Sequence, residues 1–472
     1  MGKKKKQIIL ENIPITDYAA EGKALARHEG KVLFISGAVP GDKANILITK
    51  NKKDWAEGRV LEIKSYSTDR VTPFCRHFGV CGGCKWQMLP YEKQLVYKQQ
   101  EAEQNLIRIS KTELPAVLPI IGAGETIHYR NKLEFTFSNK RFMEGPHPPP
   151  LKGGTNPAPR NGALGFHVPR IFDKVLDIEE CFLMDDVNNT IRNTIRSFAL
   201  ENGFSFYDIR EHTGWLRNII VRYCTTGELM VNICLNYDEE SDRKKLFDHL
   251  LKAVPSITTL LYTINPKWND SIYDLEPQVY QGKGFVMEKL GEFSFKISPK
   301  SFFQTNTKQA EKLYSVARDF AGLTGKEVVY DLYCGTGSIG IFLSKMAGKL
   351  IGVDVVEDAI KDARENALLN NISHAEFFAG DVIKICNDDF FERHGRPDLI
   401  ITDPPRAGMH EKLVIKLLAI GAPSIVYVSC NTATQARDIG LLSERYRVEK
   451  IQPVDMFPHT HHIECVVLLK LK

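Results

Sequence analysis

Val328-Val329-Tyr330-Asp331-Leu332-Tyr333-Cys334-Gly335-Thr336-Gly337 is an apolar strand that runs into a glycine turn. Glycines at the carboxyl end of a first strand let the backbone come close to a ligand. Roughly 20 residues on, where dinucleotide folds place their ribose-binding acid, a second apolar run, Leu350-Ile351-Gly352-Val353, ends in Asp354. A carboxylate there can accept both ribose hydroxyls. The third glycine of a dinucleotide fingerprint is missing and Asp331 precedes the turn, so a pyrophosphate has less reason to sit here than a nucleoside without phosphates. S-adenosylmethionine (AdoMet) is such a ligand. The same glycine pattern disfavours a nicotinamide dehydrogenase.

Outward from this turn, Leu399-Ile400-Ile401 and Ile425-Val426-Tyr427-Val428 are further short apolar runs separated by helical stretches. Such alternation predicts a mostly parallel sheet with helices on both faces, an α/β fold of Rossmann-like type, from about residue 300 onward. Residues 164 to about 295 read as a mixed α+β region, with Ile219-Ile220-Val221 and Leu229-Met230-Val231 as strands. Tyr91 to Ile109 is long, polar and free of glycine, and predicts one helix. Residues 143–163, with Pro148-Pro149-Pro150 and Gly153-Gly154, read as a surface insertion. Near the start, Lys31–Ile35, Ala44–Ile48 and Trp55–Ile63 are strand-like, with a turn at Val39-Pro40-Gly41-Asp42, and their spacing suggests a small barrel. The expected division is 1–66 (with 1–7 a basic tail), 67–295 and 296–472.

Composition narrows the function. Charged residues make up 25% and no apolar run can span a bilayer, so a cytoplasmic protein without membrane contact is expected. The net charge of +4 is too small for a general nucleic-acid binder, so any RNA affinity belongs to local basic segments. Lys3-Lys4-Lys5-Lys6 reads as a solvated tail. Ten cysteines in a cytosolic chain are not expected to be disulfides. Three of them form Cys75-x5-Cys81-x2-Cys84, a tight loop that suits zinc, with His77 as a fourth ligand, or a cubane iron–sulfur cluster; spacing alone leaves both open. Cys224, Cys234, Cys334, Cys386 and Cys465 fit ordinary packing.

Two late segments carry chemistry. Tyr427-Val428-Ser429-Cys430-Asn431 puts a cysteine just past a buried strand, and Phe457-Pro458-His459-Thr460-His461-His462-Ile463-Glu464 puts a carboxylate just before the closing apolar run. Asp381 and Asp403, the latter in Asp403-Pro404-Pro405-Arg406, fit the same series of strand ends, although Asp381 reads equally well as a helix N-cap. Asp403–Arg406, Ser429-Cys430-Asn431 and Asp455–Thr460 with Glu464 resemble the RNA 5-methyluridine methyltransferases, and the resemblance extends over nearly the whole chain.

That resemblance implies AdoMet-dependent methylation of C5 of a uridine in RNA. Cys430 would add to C6, Glu464 would remove the C5 proton, and Asp403, with Arg406, would sit beside the cofactor and the base. It implies cofactor contacts at Gln304, Tyr333, Gly335, Gly337, Asp354, Asp381 and Asp403. The family often has Glu at Asp354 and Asn at Ser338, which puts the second contact in doubt. Residues 8–66 look like a TRAM domain, an OB-type RNA-binding barrel, with Gly30-Lys31-Val32 and Pro40-Gly41. Followed by Tyr91-Glu92-Lys93-Gln94, the cysteine loop is typical of the iron–sulfur branch, which implies a [4Fe–4S] cluster with Cys181 as the distant fourth ligand of Cys75, Cys81 and Cys84. A radical-AdoMet enzyme is disfavoured, because four cysteines leave no iron open. Within this reading 23S ribosomal RNA is the expected substrate, tRNA the alternative, and a monomer the expected state. The competing class, a non-catalytic RNA-binding or RNA-folding protein, has no use for both Cys430 and Glu464.

Overall fold

The computed structural model describes residues 7–143 and 162–472. Nearly all of the expected insertion at 143–163 and of the basic tail lies outside them. The described residues form three sheets and one hairpin.

The first sheet has six strands, ordered Ile8–Pro14, Lys43–Asn51, Trp55–Ser65, Lys31–Ser36, Lys23–His28, Asp17–Ala19. Alternation builds its core: Ala24 and Ala26, Leu33 and Ile35, Ala44 and Ile46 point inward on successive odd or even positions. A seven-stranded central sheet follows, with Leu216–Tyr223 in its middle and the helices Val187–Glu201 and Glu240–Ala253 against one face. The hairpin Val286–Leu290 and Phe293–Ile297 packs into the core of the last sheet, beside Val329 and Leu350. The break expected at 295/296 therefore falls inside a strand.

The last sheet contains strands β1 (Val328–Leu332), β2 (Lys349–Asp354), β3 (Ala375–Ala379), β4 (Leu399–Thr402), β5 (Ser424–Ser429), β6 (Tyr446–Val454) and β7 (Glu464–Leu471), in the order β3-β2-β1-β4-β5-β7-β6. The first five pair parallel, and β7 enters antiparallel between β5 and β6. Parallel strands buried on both faces explain the continuous apolar runs read from the sequence. Reversal at β7 matters for the site, because it brings the start of that strand to the edge where β1, β4 and β5 end.

Helix α1 (Tyr91–Ser110) begins directly after Pro90 and ends at Lys111, which is left-handed at φ 53°. Its buried residues are Gln94, Lys98, Ala102, Leu106 and Ser110, one per turn on a single face. That face crosses α2 (Thr432–Leu442). At the crossing Gly440 faces the Ser110 carbonyl so closely that a Cβ would sit 2.8 Å from its oxygen. Asn105 donates to Thr432 Oγ1 at 2.9 Å.

Candidate active site

The glycine turn after β1 is held open by its own backbone. Tyr333, Gly335 and Gly337 all have positive φ, at 63°, 53° and 78°. A Cβ added at Gly335 would meet nothing within 4 Å, so the turn faces free space. Asp354, at the end of β2, accepts from the Gly335 N–H (3.0 Å) and the Val356 N–H (2.9 Å), which fixes the carboxylate at the rim. Beside it Val355 and Val356 are exposed by 63% and 50%, an apolar ledge suited to covering an aromatic base. Asp331 accepts from the Gly340 N–H through Oδ2 (2.9 Å), while its buried Oδ1 has no partner. Burial pushes its carboxyl up to about 7, with Asp403 and Asp354 adding to the effect. An unpartnered buried acceptor, an open turn and a carboxylate beside an apolar ledge fit a nucleoside with a cationic tail.

Several of the expected contacts also have partners within the protein. Asp381 accepts from the Ile383 N–H at 2.9 Å and so caps the short helix Val382–Ile385, as the N-cap reading anticipated. Ser338 Oγ lies 3.0 Å from the Tyr314 hydroxyl, a pairing that no sequence spacing signals. Gln304 is buried, and its backbone carbonyl accepts from Asn131 Nδ2 at 2.9 Å.

Strand register assembles the thiol and the carboxylates. Thr402 pairs with Tyr427, and Ser429 with Cys465. One residue further, Asp403 leaves β4, Cys430 leaves β5 and Glu464 opens β7, all at one edge of the sheet. Asn431 then caps α2, accepting from the Ala433 N–H (3.0 Å) and the Thr434 N–H (3.4 Å), and its Nδ2 donates to the Arg406 carbonyl (3.1 Å). Cys430 therefore sits at a helix N-terminus tied to the Asp403–Arg406 loop. Burial, then Glu464 and Asp403, push its thiol up to about 11, while Arg406 pulls it down. Burial raises the Asp403 carboxyl to about 7, and burial together with Asp403 holds the Glu464 carboxyl well above the usual range. No hydrogen bond reaches the Glu464 carboxylate among the described residues.

Cys75, Cys81, Cys84 and Cys181 line one largely apolar pocket with Phe166, Ile178 and Leu183. Each sulfur faces a hydrogen-bond donor: the Gly83 N–H lies 3.4 Å from Cys81 Sγ, the His77 and Phe78 amides face Cys75, Gln87 faces Cys84, and the Leu183 amide faces Cys181. Among the described residues, however, no group of three or more His, Cys, Asp or Glu is drawn together as ligands of a single metal ion. His77 Nε2 accepts from the Glu179 N–H at 3.3 Å. Cys224, Cys234, Cys334, Cys386 and Cys465 are buried, as expected for packing.

The tRNA (uracil-5-)-methyltransferase family matches residues 277–472, and the TRAM domain matches residues 11–61. An uncharacterized RNA methyltransferase of Bacteroides thetaiotaomicron is 50% identical, covering 96% of this chain and 100% of its own. The chain belongs to the uracil-5 RNA methyltransferase family. Another uncharacterized RNA methyltransferase, from Porphyromonas gingivalis, is 49% identical over 96% of this chain and 98% of its own. The solved tRNA (uracil-54, C5)-methyltransferase of Pyrococcus abyssi, in complex with S-adenosyl-L-homocysteine, aligns with a TM-score of 0.73 at 28% identity, covering 98% of this chain and 100% of that one. The protein is thus an AdoMet-dependent RNA methyltransferase with an N-terminal TRAM domain and a mixed α/β fold.

What the sequence did not reveal about this methyltransferase is how its last motif is held. The loop between β6 and β7, Asp455 to Ile463, is gripped from outside by α1 and the cysteine segment. Lys98 donates to Asp455 Oδ1 at 2.6 Å, with both side chains fully buried. Tyr91 donates to Asp455 Oδ2 at 2.8 Å, and Gln94 Oε1 accepts from the His459 N–H at 2.8 Å. Lys98 and Gln94 look like ordinary polar helix residues in the sequence; only their shared spacing of four with Ala102 and Leu106 marks the buried face.

Proposed function

We propose that this methyltransferase modifies C5 of a uridine in a structured RNA, with Cys430 as covalent nucleophile and Glu464 as the base that removes the C5 proton. The observation that carries this reading is the convergence of Cys430, Asp403 and Glu464 on three neighbouring strands at the edge that holds the cofactor turn. Uracil C5 is too electron-poor to be methylated directly. Addition of the Cys430 sulfur to C6 moves an electron pair to the O4 side and makes C5 nucleophilic. Arg406 and the N-terminus of α2 favour the thiolate that this requires. AdoMet, when bound, supplies an electrophilic methyl group; Asp354, Gln304, Tyr333 and the Gly335–Gly337 turn are the residues proposed to hold it. Once the methyl group is on C5, Glu464 takes the remaining C5 proton, the C5–C6 double bond re-forms and the Cys430–C6 bond breaks. A target base must leave its stack to reach this edge.

Buried Cys181 and the half-buried Cys75, Cys81 and Cys84 line one pocket, and four thiols together suit a [4Fe–4S] cluster, the reading that the family resemblance favours over zinc. The TRAM domain and this pocket favour 23S ribosomal RNA as substrate. The second reading, tRNA, is favoured by the substrate of the Pyrococcus abyssi relative. A monomer acting in the cytoplasm completes the proposal. The test is a trap. RNA containing 5-fluorouridine should form a denaturation-stable complex with wild-type protein, because fluorine cannot leave as a proton, whereas Cys430→Ala should form none and methylate nothing. Turnover by Cys430→Ala sinks the nucleophile assignment. Loss of 5-methyluridine from ribosomal RNA in a deletion strain decides for the first substrate, loss from tRNA for the second.

A further inference from the structure

The Glu464 carboxylate has no hydrogen bond among the described residues, yet the loop leading to it is held at residue after residue. Five consecutive carbonyls are captured. Gln309 Nε2 donates to the Asp455 carbonyl (2.7 Å), Asn306 Nδ2 to Met456 (2.9 Å), Lys98 Nζ to Phe457 (3.1 Å), the Tyr129 hydroxyl to Pro458 (2.9 Å), and the Lys85 and Trp86 amides both to His459 (2.8 and 3.1 Å). Gln94 adds a two-sided contact to His459, accepting from its N–H at 2.8 Å and donating toward Nδ1 at 3.1 Å. His459 is left-handed at φ 62°, a conformation that a non-glycine residue keeps only where its surroundings over-determine it.

The Lys98–Asp455 pair is the most telling part. A fully buried ion pair is weak as a stabiliser, since desolvating both charges offsets much of their attraction. What it does supply is direction: a short, charge-assisted bond that admits one arrangement of the loop. We propose that Gln94 and Lys98 of α1 are positioning residues for Glu464, fixing the Asp455–Ile463 loop so that the unsupported carboxylate is aimed at the C5 proton. This rests on the reading of Glu464 as the base. The segment doing the fixing, Lys85 to Lys98, begins one residue after Cys84, so the cysteine pocket anchors the far end of the same strut.

The prediction is a split between two halves of one reaction. Addition of Cys430 and arrival of the methyl group do not use the base; release does. Lys98→Met combined with Asp455→Asn removes both charges together and avoids leaving one buried alone. This double variant should be trapped by 5-fluorouridine RNA at a rate close to wild type. On natural RNA its release of product should fall about tenfold or more, within the range that general base catalysis supplies, so that methylated covalent adduct accumulates. A purely structural role would lower the yield of folded protein without changing that ratio. Trapping and release that fall together, or neither falling, overturn the proposal. Should the double variant fail to fold, Tyr129→Phe, which deletes the bond to the Pro458 carbonyl and leaves the Lys98–Asp455 pair in place, must shift the ratio in the same direction. Glu464→Gln is the control. If it accumulates methylated adduct and the strut variants do not, positioning alone is wrong; if it accumulates none, the base assignment fails and this inference with it.

Discussion

Asp403 shows how the site stores a cost in a single residue. Burial lifts its folded-state carboxyl to about 7, against about 4 for an unfolded Asp. Between those values the folded chain binds more protons than the unfolded chain, so stability falls as pH rises. Below the lower value the group is neutral in both states, and above the upper value the penalty is complete. Asp403→Asn should therefore melt at the same temperature as wild type near pH 4 and several degrees higher at pH 8, with methylation lost. Thermal unfolding across that range, read by circular dichroism, checks the sign; a gain that is constant with pH would show that the carboxyl carries no such penalty. Cys430 reads the same environment. With its thiol raised to about 11, alkylation by iodoacetamide should still be climbing about tenfold per pH unit at pH 9, and Arg406→Met should slow it. An alkylation rate already flat by pH 8 would contradict this. None of these environments can be seen in a sequence, because they depend on which strand ends lie side by side.

Among elements, α2 is the one whose sequence carries the most function per residue. Asn431 caps it and ties it to the Arg406 carbonyl, two jobs that substitutions can separate. Asn431→Ala loses both, at about 1 kcal/mol for the cap alone. Asn431→Asp keeps the acceptor but not the Nδ2 donor, so it should melt close to wild type and still methylate poorly, through a displaced Asp403–Arg406 loop. Equal losses of stability in the two variants, measured by denaturant titration, would count against the tether. Strands β1, β2, β4 and β5 were legible because parallel strands buried on both faces are apolar throughout, whereas β3 and β6 went unread, and Tyr91–Ile109 was legible as a helix because nothing in it breaks one. What that helix is for was not legible. Its buried face carries Gln94 and Lys98, residues that pattern reading assigns to solvent. Likewise Phe293–Ile297 reads as the end of the central region, and only its packing on Val329 and Leu350 moves it into the catalytic core.

At the scale of the molecule, distant segments of sequence share one site twice. Cys181 joins the loop of Cys75, Cys81 and Cys84 across the edge of the central sheet. Protein prepared without oxygen should be brown with about four irons, and Cys181→Ser should bleach it; stoichiometric zinc without iron would replace the cluster assignment. The meeting of Cys181 with the other three was expected from the family resemblance, whereas spacing alone gave no sign of it, since Cys181 is brought to the loop only by the fold. The second shared site is the Lys98–Asp455 pair, whose partners are 357 positions apart in sequence. A ribosome adding 5–20 residues per second needs roughly 20–70 s to travel that distance. Throughout that interval the nascent helix presents a lysine and a glutamine on the face it will later hide, with no counterpart yet made. The catalytic loop is thus among the last pieces to find its place, and a chain cut off just before residue 455 should leave the exit tunnel as a soft target for proteases rather than as a weak enzyme.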